Sequence, residues 1–302
     1  MLKTAICTIS STSHLFKAQA LFSSLKDKTS ATFYCLLTDG DPQQSYTNEC
    51  TVQHLSHLSS PEAQRMCKKY SGDQLRWGLK SLYLLQLLKE GYEAVIYVDN
   101  DIFFYSSPDF LFEQLKTSNI LLTPHFYPTH PDHDQNWLEA NYKVGIFNAG
   151  FIGVNQAASN MLNWWAGCCL YNIKKSFSRG LFDDQKYLDV VPAIFDGVEI
   201  VKHKGCNVAG WNLVSSPRSL DADGKIMLDS RWELIFIHYN YYTLQCIANG
   251  KDPVLKNPFE IYHSCLLKYF PQYQLKADIR SVSRDFYQYF QYIRYRLLRW
   301  LE

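Results

Sequence analysis

Apolar and polar positions along the chain fall into short runs whose period switches between strand-like and helical. Thr4 to Ile9 is an apolar run of strand length, Ser10 to Ser13 is small and polar, and His14 to Leu25 carries apolar residues at helical spacing. A second strand is expected over Phe33 to Leu37, stopped by the turn-forming residues Thr38 to Pro42. From Asp73 to Lys89, Leu75, Leu79, Leu82, Tyr83 and Leu87 mark a helix, with Asp73 as its expected N-cap and Gly91 as its stop. That helix feeds VIYVDNDIFF, Val95 to Phe104, a buried strand that delivers Asp99 and Asp101 to a loop edge. A helix start at Ser106 to Asp109, a strand over Ile120 to Thr123 and a loop from Pro124 to Trp137 come next. Phe147 to Asn155 reads as a small-residue turn entering a strand, and the helix bearing Trp164 and Trp165 as core. LFDDQKYLDVVP puts Asp183, Asp184 and Gln185 at the head of a segment with Tyr187, Leu188 and Val191 at helical spacing. A strand over Val198 to Val201, a loop from His203 to Leu213 and the apolar strand ELIFIHYN, which carries His238, complete the pattern.

This alternation predicts an α/β fold, and 302 residues suffice for one large domain or two small ones. Ligands of such sheets bind outside the carboxyl ends of strands, so Thr8, Ser10, Asp39 and the Asp99–Asp101 pair are expected to border one crevice. Two carboxylates one residue apart on a chain leaving a strand can turn toward one hard divalent cation, which in turn bridges phosphate oxygens. The same triplet also reads as a turn in which Asp and Asn bond nearby backbone. Lys80 falls on a solvated helix face by its spacing, or else approaches a diphosphate as a cation. His125, His130, Asp132, His133 and Asp134 are metal-ligand types, but two prolines and irregular spacing favour a loop that holds a sugar acceptor. Asp184 and Gln185 read as helix-start residues or as groups facing a reacting sugar, and His238 alone as a structural histidine.

Composition narrows the field. A net charge of +1 gives no bulk attraction to nucleic acid. Nine cysteines, scattered apart from the Cys168–Cys169 pair and without C-x-x-C spacing, support neither a disulfide framework nor a zinc site, so a reducing cytosol is expected. No secretory signal opens the chain and no apolar run is long enough to span a bilayer, which predicts a cytoplasmic protein.

Taken in order, the helix with Lys80 ahead of V-I-Y-V-D-N-D, the N-A-G of Asn148 to Gly150, the D-D-Q of Asp183 to Gln185 and the late F-I-H ending at His238 resemble the GT-A nucleotide-sugar glycosyltransferases. The chain is most similar to glycosyltransferase family eight and to a related bacterial group with strings like LLTPH, FNAGFIGV, VVPAIFDGV and NVAGWNL. The likeness covers roughly Thr4 to Tyr242. It implies a mixed, mostly parallel sheet flanked by helices over residues 1–250 and a helical C-terminal tail over 251–302. It implies that Asp99, Asp101 and His238 hold Mn²⁺ or Mg²⁺, and that Thr8, Ser10, Asp39, Lys80, Asn100, Asn148, Ala149 and Gly150 line the donor site. Asp184 and Gln185 would be the catalytic pair beside the anomeric carbon. The implied activity is metal-dependent transfer of a hexose from a nucleoside diphosphate sugar, UDP-linked, to a glycan or lipid-linked acceptor, with retention by front-face attack. Two departures stand out. The family often follows its histidine with glycine and then lysine, where this chain has Tyr239 to Tyr242, and its early first-strand aspartate is replaced by Thr8 and Ser10. The alternatives are a sugar nucleotidyltransferase, for which ISSTSH lacks the glycine-rich loop, and a glycan-binding protein on a degenerate GT-A fold, which would need no metal triad.

Ser283 to Glu302 places Phe286, Phe290, Ile293, Leu297 and Leu301 on one helical face flanked by Arg294, Arg296 and Arg299. Such a helix can pack on the domain, pair with a second copy, or lie on the anionic inner face of the cell membrane.

Overall fold

The computed structural model describes residues 2–280; the amphipathic stretch Ser283 to Glu302 lies outside them. Strand β1 (Thr4–Ser10) is followed by a single 3-10 turn, helix α1 (Leu15–Leu25) and strand β2 (Thr32–Leu37). Strand β3 (Thr51–His54) and helix α2 (Pro61–Lys69) come next, with Ser60 Oγ accepting from Ala63 N at 3.1 Å and Pro61 in the first turn. Helix α3 (Gly72–Lys89) begins one residue earlier than its pattern suggested. Ser71 is its N-cap, and Asp73 instead sits in the first turn and pairs with Arg76, so the expected cap is corrected. Its stop is as expected: Gly91 has φ +89°, a left-handed conformation that glycine adopts at little cost.

The apolar run from Val95 to Phe104 divides in two. Strand β4 (Ala94–Val98) ends at the D-N-D turn, and β5 (Ile102–Phe104) leaves it in a separate sheet. Then come α4 (Asp109–Gln114), β6 (Ile120–Pro124), α5 (Gln135–Lys143) and β7 (Phe147–Asn155). Asn148-Ala149-Gly150 is therefore strand interior and not a turn; the left-handed Gly145 (φ +127°) lies just ahead of the strand. Helix α6 (Ser159–Tyr171) buries Trp165, while Trp164 is partly buried against the core. After Gln185 the chain forms a 3-10 turn and the short α7 (Val191–Ile194), then β8 (Val198–Ile200). Strands β9 (Arg218–Leu220), β10 (Ile226–Leu228) and β11 (Trp232–Glu233) make a small antiparallel sheet. Strand β12 (Phe236–His238) and helices α8 (Tyr241–Ala248), α9 (Lys256–Tyr269) and α10 (Leu275–Arg280) follow.

The central sheet runs β3-β2-β1-β4-β7-β6-β8, and every neighbour is parallel except β7, which is antiparallel to both β4 and β6. The expected α/β class with a mixed, mostly parallel sheet is thus observed. One face of the sheet is covered by α3 and α6 around Leu79, Tyr83 and Trp165, the other by α1 around Leu21 and Phe22. A third apolar cluster joins Phe103 and Ile237 to Tyr239, Tyr262 and Leu266, seating α9 against α1. Among the described residues no helix is long and apolar enough to cross a membrane.

Candidate functional site

The reversed strand β7 explains why the site can exist. Running against its neighbours, it brings its first residues, Asn148 to Gly150, to the carboxyl end of β4, where Asp99 N bonds Gly150 O at 2.9 Å. On the other side, β5 pairs antiparallel with β12, setting Ile102 opposite His238, and Tyr239 N bonds Asp101 O at 2.8 Å. Three segments far apart in sequence therefore meet at one turn.

Asp99, Asp101 and His238 offer donor atoms that all lie within 4.8 Å of one another. Among the described residues this is the group of three such side chains that converges; in the Pro124–Trp137 loop His130 pairs with Asp132 on the surface and stands against the His133 ring, without forming such a group. An octahedral cation with bonds of about 2.1 Å spaces adjacent ligands about 3 Å apart and opposite ones about 4 Å, so the triad fits a small hard divalent ion after slight contraction. The donor set, two carboxylates and an imidazole, is one that a divalent cation can take. Gly150 keeps the space open: a Cβ there would lie 2.6 Å from His238 Cε1, 2.7 Å from Asn148 Oδ1 and 3.0 Å from Asp99 Oδ2.

His238 Nε2 lies 3.1 Å from Asp101 Oδ1. Burial alone would raise the Asp101 carboxyl, but the charge and hydrogen bond of His238 outweigh it and hold the group down at about 2. The same contact outweighs the burial of His238, whose imidazole lies above its ordinary value. Asn148 Nδ2 faces His238 Nδ1 at 3.4 Å and Asn207 Oδ1 at 3.3 Å, and Asn207 Nδ2 donates to Pro124 O at 3.1 Å. Trp211 stands edge-on to His238 with ring centres 5.3 Å apart and donates Nε1–H to His125 O at 2.9 Å. His125 is buried beneath this layer, and burial pushes its imidazole down to about 3, so it is neutral. The buried Arg218–Asp252 pair, at 3.1 Å, braces the same loop from behind as Arg218 Nη2 donates to Ala209 O at 2.6 Å and Asn212 Oδ1 at 2.9 Å.

Lys80 corrects the expectation of a solvated face. It is 2% exposed, with Nζ 3.1 Å from Asp99 Oδ1, 3.2 Å from Asp184 Oδ2 and donating to Ala149 O at 3.0 Å. Burial acts to lower its ammonium, and the two carboxylates more than offset this and hold it above its ordinary value. Asp184 is pushed by burial up to about 6, against the pull of Lys80. Tyr97, two residues before Asp99 and so on the same face of the strand, donates its hydroxyl to Asp99 Oδ1 at 2.8 Å. Gln185 Oε1 accepts from Ala149 N at 3.3 Å while its Nε2 donates to Val144 O, also at 3.3 Å. Neither Asp183 nor Asp184 caps a helix; Asp184 belongs to this cluster.

Lys80, Asp99, Asp101, Asn148, Ala149, Gly150, Asp184, Gln185 and His238 thus stand together. Thr8 and Ser10 are fully buried, Ser10 Oγ accepting from Asn100 Nδ2 at 3.0 Å, so they underlie the turn. Asp39 accepts from Thr12 N at 2.7 Å and Thr12 Oγ1 at 3.1 Å and is tied to that loop. The supporting roles of Tyr97, Asn207, Trp211 and Arg218 were not assigned in sequence, and His125 was named only as a ligand-type residue of its loop; Tyr97, by its strand period, carried a readable signal.

No protein-family model matches the chain. Mouse xyloside xylosyltransferase 1, in its apo form, superposes with a TM-score of 0.49 and 14% identity, covering 80% of this chain and 98% of that one. The galactosyltransferase LgtC, in complex with donor and acceptor sugar analogs, gives 0.48 and 14%, covering 86% and 95%. In sequence the chain is 30% identical over 263 residues to the uncharacterized protein YfnF of Bacillus subtilis (strain 168), across 82% of this chain and 84% of that protein. With that identity sustained over most of both chains, this protein belongs to the family of Bacillus subtilis YfnF.

Proposed function

We propose that this protein is a metal-dependent glycosyltransferase that moves a hexose from a nucleoside diphosphate sugar, UDP-linked, to a glycan or lipid-linked acceptor with retention of anomeric configuration. The observation that carries the reading is the convergence of Asp99, Asp101 and His238 at the carboxyl end of β4, directly beside the buried Lys80–Asp184 pair. A divalent cation held by the triad would offset the negative charge that grows on a departing diphosphate. Lys80 supplies fixed positive charge in a water-poor setting, where it needs no reorganisation when charge develops. Asp184 and Gln185 offer a carboxylate and an amide beside the metal triad and Lys80. Asn148 Nδ2, 3.4 Å from Nδ1 of His238, packs against the ring and limits its rotation. Positioning and charge stabilisation suffice in this scheme, because the leaving phosphate can accept the acceptor's proton.

Calorimetric binding of UDP, GDP and dTDP and of their sugar conjugates, with and without Mn²⁺, tests this on wild type and Asp101→Ala. One nucleotide should bind, only with metal, and Asp101→Ala should abolish it. Binding that ignores both the metal and Asp101, or no binding at all, would overturn the reading.

A further inference from the structure

The end of the fold that bears the crevice also carries a rim of cations and exposed rings. Helix α3 runs into β4, so its first turns lie at the carboxyl end of that strand; β7 starts at the same end and α6 returns to it, which brings Tyr171 there too. Between α6 and Asp183 the chain forms a loop closed on itself, Ser176 N donating to Leu181 O at 2.8 Å and Leu181 N to Ser176 O at 3.1 Å. Gly180, left-handed at φ +65°, turns its tip. The rim is continuous through these elements. Lys69 Nζ donates to Leu170 O and, at 3.0 Å, to Tyr171 O, and Arg179 donates to the Tyr171 hydroxyl at 2.5 Å. Phe177 stands against Phe182 with ring centres 5.7 Å apart, and Lys175 lies 4.7 Å from the Phe182 ring and 5.8 Å from that of Trp77 on α3. Lys175 Nζ is also 3.4 Å from Asp183 Oδ2, one residue before the Asp184 that pairs with Lys80, so the rim borders the site.

Tyr171 is 63% exposed and Phe177 49%, and Lys69, Lys174, Lys175 and Arg179 are exposed around them. The carboxylates Asp183 and Asp73 at this end are each tied to a cation, Lys175 and Arg76, and among the described residues no carboxylate pairs with Lys69, Lys174 or Arg179. A chain whose net charge is only +1 thus gathers excess positive charge beside its crevice. Rings set between cations match a surface with phosphates outside and hydrocarbon beneath, where the cations meet the phosphates and the rings enter the headgroup layer. A soluble polyanion would use the cations and gain little from Phe177. We propose that this rim docks the protein on an anionic lipid surface, with Tyr171 and Phe177 in the headgroup layer and Lys69, Lys174 and Arg179 against lipid phosphates. The crevice then opens beside the bilayer, which, resting on the transferase reading given above, selects a lipid-linked acceptor over a free glycan.

The test is flotation of the full chain with vesicles of equal parts phosphatidylglycerol and phosphatidylcholine, and with phosphatidylcholine alone, for wild type, Lys174→Gln/Arg179→Gln and Phe177→Ser. Calorimetry of UDP, GDP and dTDP with Mn²⁺ and circular dichroism accompany it on the same proteins. Wild type should bind the anionic vesicles, leave them as salt rises, and ignore the neutral ones. Each cation at such a surface contributes about fivefold in affinity, so the double variant should bind about thirtyfold more weakly. Phe177→Ser should bind about fivefold more weakly. Nucleotide affinity should stay within about twofold in both variants, because the substituted side chains stand outside the metal and Lys80 cluster. A wild type that ignores anionic vesicles, or variants that bind them as wild type does, overturns the proposal. So does a loss in the double variant with none in Phe177→Ser, the pattern of a soluble polyanion. A wild type that binds the vesicles but no nucleotide keeps the docking surface and overturns the acceptor assignment together with the transferase reading.

Discussion

Replacing Lys80 with methionine removes the ammonium from between Asp99 and Asp184 while roughly keeping its volume. Lys80 and Asp184 are both buried, so the change leaves a carboxylate without its counter-charge, at a cost of about 3–5 kcal/mol at pH 7. Part of that cost depends on protons. Asp184 titrates at about 6 in the wild type and is mostly ionised at pH 7. Without Lys80 it must be carried neutral, and protonating it one unit above that value costs about 1.4 kcal/mol. Its folded pKa, already above the ordinary carboxylate value and higher still in the variant, makes a contribution that is fully present below about 4 and lost as pH rises through the folded value. The penalty should therefore shrink by about 1.4 kcal/mol between pH 7 and pH 5. Urea unfolding at both pH values, with EDTA present, measures it. Lys80→Met/Asp184→Asn should recover most of the loss at pH 7. An equal penalty at both pH values, or a double variant as unstable as the single one, would refute the reasoning.

Gly150→Ala places a Cβ 2.6 Å from His238 Cε1 and 3.0 Å from Asp99 Oδ2, so cation-dependent nucleotide binding should vanish in calorimetry while the chain loses only about 1–3 kcal/mol. His125, buried and neutral, has a folded pKa near 3, below its unfolded value; its contribution is present above about 6.5 and lost as pH falls. About 3 kcal/mol of stability should disappear between pH 7 and pH 4 through this residue, and the denaturation profile of His125→Asn should be flatter by that amount. Arg218→Met should destabilise by about 3–5 kcal/mol by orphaning Asp252, and Arg218→Met/Asp252→Leu should restore much of it in thermal melts.

The strand Val95 to Phe104 and its acidic turn were legible because β-branched and aromatic residues stop where the carboxylates begin. Lys80 was not. Helical spacing assigns faces only when one side is polar, and α3 buries Leu79, Ser81, Leu82 and Leu84 around Lys80, which marks a helix enclosed on most sides. The small residues Asn148 to Gly150 looked like a turn for the reason that glycine usually signals one, yet here their size makes room for His238. The hairpin of β9 and β10 was hidden by strands three residues long, although Asp221 Oδ1 accepting from Asp223 N and Lys225 N shows that its D-A-D-G turn carried a signal. The loop read over Pro124 to Trp137 took in the start of helix α5, and the rest of that helix was not read, although Asp134 caps it through Trp137 N at 3.0 Å. Asn207, Trp211 and Arg218 act through contacts between loops, which no local period encodes.

The pairing of β5 with β12 has a consequence for biosynthesis. Nearly half the chain separates Asp101 from His238. At about 5–20 residues per second, the ribosome exposes the two carboxylates about 7–30 seconds before the imidazole that completes them. Through that interval the nascent chain holds only the pair of acids, and the three-residue group is complete once β12 is laid against β5. On the metal-dependent reading proposed above, such a protein acquires its ion as one of its last folding events, and a fragment truncated ahead of His238 is expected to lose the competition with the finished molecule for scarce metal.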